Sequence, residues 1–66
     1  QGRGYAYEVC EAILRYAKEE LDFERVICFV KQENAASLGL CAKLGFIEKG
    51  MEQLGTDAYI MLRKHL

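Results

Sequence analysis

The chain of 66 residues has no proline, a single histidine, and no apolar run that approaches the length of a membrane span. Without proline, and without repeats or low-complexity stretches, nothing marks an internal linker, so one small domain or part of one is expected. The lone His65 and the absence of any CxxC spacing speak against a zinc site, and no metal is expected. Charge of one sign is also lacking: the net charge is −1, which gives no electrostatic case for nucleic acid or an anionic membrane. With no secretory leader pattern either, the expected compartment is cytoplasmic. Cysteine is sparse and odd in number. Cys10, Cys28 and Cys41 all stand in apolar stretches and read as free, buried thiols in a reducing compartment.

What is present is globular in character, with 52% hydrophobic residues and mixed charges. From Gly4 to about Asp22 the spacing is helical. Glu8, Glu11, Arg15, Lys18 and Asp22 form a solvated stripe, and Ala6, Val9, Cys10, Ile13, Leu14, Ala17 and Leu21 an apolar face. The run from Arg25 to Val30 is β-branched and aromatic with almost no polar break, which predicts a strand buried on both faces. Asn34 is a good N-cap for a helix carrying Ala35, Leu38, Cys41, Ala42 and Leu44, and Gly45 stands where a helix ends in a left-handed residue. Gly39 lies inside that helix at some cost, so close packing or a ligand backbone wants no side chain there. Phe46 to Leu54 and Ala58 to Leu62, separated by a turn at Gly55 to Asp57, predict an antiparallel hairpin. The order is α-β-α-β-β and the fold class α+β with α/β character: a mixed sheet with two covering helices.

The opening stretch "QGRGYA" raises a site. Two glycines before a helix expose successive N–H groups to its positive end, where a diphosphate could sit without a lysine-rich motif. Alone this is equally a flexible turn, and it matches neither a P-loop nor a GxGxxG fingerprint. The downstream "ENAASLGLCAKLGF" makes it specific. Gln1, Gly4 and Ala6 fit a Gln/Arg-x-x-Gly-x-Gly/Ala loop, Asn34 and Ser37 fit Asn-x-x-Ser/Ala, and Lys43 to Phe46 fit Lys-x-Gly-Phe. In that order and at that separation, these motifs resemble the GNAT superfamily of N-acetyltransferases, nearest its ribosomal-protein branch.

The resemblance implies that residues 1–66 are the C-terminal, acetyl-coenzyme A-binding portion of a GNAT domain, with the N-terminal strands absent. The backbone amides of Gly2, Arg3, Gly4, Tyr5 and Ala6, with the Gln1 and Arg3 side chains, would cradle the pyrophosphate. Asn34 would hydrogen-bond the pantetheine arm beside Ser37, a role compatible with capping because the cap uses one side-chain oxygen. The implied activity is direct attack of an amine on the thioester, helped by a base, a carbonyl-polarising amide and an acid for the leaving thiolate.

Two departures from the family pattern matter. Cys41 occupies the position of the usual tyrosine acid, where a thiol reads better as a small buried hydrophobe than as a proton donor. The strand that precedes the pyrophosphate loop is missing, so the expectation for these residues alone is a cofactor-binding fragment of weak or no activity. The alternative is a non-catalytic remnant that binds coenzyme A or serves as a self-associating module. An uncovered edge on the Arg25 to Val30 strand predicts a homo-oligomer, most simply a dimer. His65 reads as a solvated tail residue, the four tyrosines as packing residues, and Glu48, Lys49 and Glu52 as the exposed side of a strand.

Overall fold

The computed structural model describes residues 2–66, with side-chain surroundings from Tyr5 onward. Five elements follow in the expected order: α1 (Gly2–Glu19), β1 (Arg25–Lys31), α2 (Ala35–Leu44), β2 (Ile47–Leu54) and β3 (Asp57–His65). The strands form one sheet in the order β1-β3-β2. Both pairings are antiparallel, which corrects the mixed sheet expected from sequence. Any parallel pairing would need a strand beyond these three.

Helix α1 begins and ends earlier than its charge pattern suggests. It starts at Gly2, so Gly2, Arg3 and Gly4 form its first turn instead of a loop ahead of it. It stops at Glu19, because Asp22 takes a left-handed φ of 58° and Phe23 donates its N–H back to the Ala17 carbonyl at 3.0 Å. Aspartate tolerates that conformation better than most residues. Only half of the expected apolar face is covered: Ala17 is buried and Ala6, Cys10 and Leu14 half-buried, whereas Val9, Ile13 and Leu21 are exposed.

Strand β1 likewise covers one face, not two. Val26, Cys28 and Val30 are half-buried, while Ile27 and Phe29 alternate outward at 49% and 50% exposure. The apolar run is therefore continuous in sequence but covered on one side, and β1 is an edge strand with β3 as its partner among the described residues. The central β3 is half-buried or buried along nearly its whole length. The other edge, β2, is exposed throughout and carries an irregularity between Glu48 and Gly50, where the pairing skips Lys49. Such a bulge bends an edge away from further pairing. His65, read as a tail residue, is the last residue of β3 and exposed. Among the described residues the buried apolar side chains are Ala17 on α1 and Leu62 on β3.

Helix α2 is defined at both ends as its sequence dictates. Asn34 Oδ1 accepts from the Ser37 N–H at 3.2 Å. At the far end Gly45 takes φ 94° and donates to the Ala42 carbonyl at 3.1 Å, while Phe46 donates to the Cys41 carbonyl at 2.9 Å. These two bonds are the Schellman arrangement. Gly45→Ala should therefore cost about 1–2 kcal/mol, since a Cβ disfavours the left-handed region. That Cβ would also meet Lys64 Nζ at 2.9 Å, a flexible side-chain end that can move aside. Urea denaturation checks this, and an unchanged midpoint would refute the left-handed cap.

Candidate functional site

Ala6 of α1 and one face of α2 line an open groove of about 410 Å³. Its lining is Ala6 from α1 and Ala35, Ala36, Ser37, Gly39, Leu40 and Lys43 from α2. The small residues follow helical spacing: 35, 36 and 39 share a side with 40 and 43, so the face that α2 turns to the groove is low at Ala35, Ala36 and Gly39 and higher at Leu40 and Lys43. Three alanines and Gly39 make much of the lining, with the Leu40 side chain and the Ser37 hydroxyl beside them. Among the described residues its charged group is the Lys43 ammonium.

Gly39 decides between the two explanations its position allowed. A Cβ built there meets no atom within 4 Å among the described residues. Close packing is therefore not what keeps the site bare, and the missing side chain opens onto the groove.

Of the site residues expected from sequence, Ala6 and Ser37 are brought together in this lining. Gln1 lies outside the described residues. Gly2, Arg3 and Gly4 contribute the first turn of α1, whose leading N–H groups have no partner within the helix. The residues expected to form a loop are thus the N-terminal turn of a helix. Tyr5 is 71% exposed and outside the groove lining. Asn34 sits just before α2, exposed; its Oδ1 is used as the cap, which leaves the Nδ2 amide as a donor with no partner among the described residues. Ala35, Ala36, Leu40 and Lys43 were not singled out as site residues by sequence reasoning. Alanine and leucine inside a helix carry no signal beyond propensity.

Cys41 does not line the groove. Its Sγ lies 3.8 Å from Sγ of Cys28 on β1. The three cysteines are free, as expected, and half-buried where buried thiols were expected. The Cys28 thiol is pushed up to about 11, first by burial, which disfavours the thiolate, and then by the neighbouring Cys41.

Comparison with known proteins agrees with this architecture. Residues 1–47 match the family model for the acetyltransferase (GNAT) domain. An uncharacterized N-acetyltransferase of Bacillus subtilis, YnaD, is 36% identical over 50 residues, covering 76% of this chain and 29% of that protein. A solved GNAT-family acetyltransferase from Bordetella pertussis superposes with a TM-score of 0.86 at 30% identity, over 97% of this chain and 38% of its own. The ribosomal-protein-S5-alanine acetyltransferase of Vibrio fischeri superposes with a TM-score of 0.89 over 98% of this chain and 39% of its own; at 18% identity, that likeness speaks to fold. The chain thus spans well under half the length of these proteins.

Proposed function

Because this chain belongs to the GNAT acetyltransferase family, we propose that it holds acetyl-coenzyme A between the N-terminus of α1 and the groove of α2, as the cofactor half of an N-acetyltransferase. The observation that carries the reading is the groove itself, kept open by Gly39 where no described residue packs closely enough to demand glycine. A long, thin, amide-bearing cofactor arm suits a floor of small side chains, and a diphosphate suits a helix N-terminus.

The roles follow from chemistry at each position. The free N–H groups of the first turn of α1, with Arg3, hold the pyrophosphate. Gln1 completes that cradle. Asn34 donates from Nδ2 to a carbonyl of the pantetheine arm while its Oδ1 keeps the cap, and Ser37 supports it. The Lys43 ammonium offers a second cation to the phosphates at the groove wall. Bound acetyl-coenzyme A supplies the thioester that an amine attacks directly. Cys41, at the family's usual tyrosine position, is committed to Cys28 and packs there; the acid for the departing thiolate comes from elsewhere.

Calorimetric titration with coenzyme A tests the reading, with Gly39→Leu as the informative variant. Leucine is the better helix former by close to 1 kcal/mol, so the variant should be at least as stable as its parent. Its side chain fills the groove, and binding should fall at least about tenfold. Full binding by the leucine variant would remove the groove from the site. Absence of binding by the unaltered chain at millimolar ligand would remove the proposal.

The second reading is a self-associating module without turnover. What favours it is the apolar surface left open: Ile27 and Phe29 on β1, and Ile47 on β2 at 62% exposure. A dimer that binds coenzyme A but acetylates no amine would decide for it.

A further inference from the structure

Cys28 and Cys41 meet across the seam between the sheet and α2, away from the groove. Cys28 stands mid-strand in β1, where its backbone is paired opposite Leu62. Cys41 stands in α2, where its carbonyl is held by the Phe46 N–H in the helix cap. Both backbones are thus fixed, and the two Sγ atoms lie 3.8 Å apart. Each residue is half-buried. A disulfide needs its sulfurs about 2.0 Å apart, which side-chain rotation with a small shift of α2 can supply.

We propose that Cys28 and Cys41 are a redox-sensitive pair that a hydroperoxide converts to an intramolecular disulfide, stapling α2 to β1. Burial disfavours the Cys28 thiolate, so Cys28 is assigned the second, resolving step and Cys41 the first. The Cys41 thiolate attacks the peroxide and breaks its O–O bond, giving a sulfenic acid and an alkoxide that takes up the released proton and leaves as the alcohol, or as water from hydrogen peroxide. The Cys28 sulfur then attacks the Cys41 sulfur. It gives its proton to the departing hydroxide, which leaves as water. Two thiols lose two hydrogens in total, and the peroxide takes both electrons. The ring so closed runs from residue 28 to 41 and contains Asn34 and Ser37, so oxidation rigidifies the segment that leads into α2.

Cys10 on α1 is the internal control. The native protein is treated with hydrogen peroxide, its remaining thiols are alkylated, and it is digested with trypsin without reduction. Cleavage after Arg25, Lys31 and Lys43 places Cys28 in peptide 26–31 and Cys41 in peptide 32–43. The expected product, in the monomeric fraction, is these two peptides linked, about 2 Da below their summed mass, with Cys10 alkylated. Cys10→Ser should give the same product. Sulfinic acid on Cys41 without the link, or a link to Cys10 instead, would overturn the pairing. The oxidised protein should also melt higher, by on the order of 10 °C for a ring of this length in a domain of this size. A linked product with an unchanged or lower midpoint would overturn the staple.

Discussion

Leu62→Ala should cost about 2–5 kcal/mol, the range for emptying a leucine-sized space in a packed interior. Leu62 is 2% exposed at the middle of the central strand, opposite Cys28 on one side and Glu48 on the other. A domain of this size has only about 3–10 kcal/mol in hand, so the loss takes most of it or all of it. The size of the effect follows from how little else is buried: among the described residues Ala17 is the other buried apolar side chain, at 7% exposure. The contrast is Ile47→Ala on β2, where 62% of the side chain already meets water and about 0.5–1 kcal/mol is the most to expect. Urea denaturation of both variants checks this, with Leu62→Met as the volume-conserving companion that should lose less than about 1.5 kcal/mol. Equal losses at 47 and 62 would mean that the interior lies somewhere other than between helices and sheet.

The same scarcity of buried residues explains what could be read in the sequence. The order of elements was legible because each rests on local physics: helical spacing in α1, a β-branched run in β1, Asn34 and Gly45 at the ends of α2, and a glycine turn before β3. The covering of faces was not. "RVICFV" has the composition of a strand buried twice, yet Ile27 and Phe29 face outward, because what covers a face is a property of the assembly and not of the strand. The β2–β3 hairpin was legible from its turn, but the expected mixed sheet is antiparallel throughout among the described residues, since pairing direction depends on which strands are present.

At the site, the parts with their own chemistry were visible and the parts without it were not. Asn34 and Ser37 announce a capped helix, and Gly2 to Ala6 a run of open amides. The groove wall depends on Ala35, Ala36 and Gly39 presenting almost nothing, and side chains that present nothing leave little trace in a sequence. The Cys28–Cys41 contact joins residues in different elements, and only the placing of α2 against β1 brings them together.

Gly4→Asp should separate binding from folding most sharply. Residue 4 lies in the first turn of α1, where an acidic side chain interacts favourably with the helix dipole by about 0.3–1 kcal/mol and where glycine is the poorer helix former. The variant should therefore fold as well as its parent or slightly better. At the same position it places a negative charge beside the amides proposed to hold a pyrophosphate. Two like charges about 5 Å apart repel by on the order of 3 kcal/mol at a partly exposed site, and a loss near 100-fold in coenzyme A affinity is expected after screening. The loss should shrink as salt is added, because the cause is charge, and Gly4→Ala should keep most of the binding. Titration calorimetry at two ionic strengths, beside a melting curve, reads all of this. Parent-like affinity in Gly4→Asp would show that the N-terminal turn is not the phosphate cradle. A loss as large in Gly4→Ala would assign the effect to bulk. If the acidic variant alone loses affinity and regains part of it in salt, the open amides of α1 hold the anion.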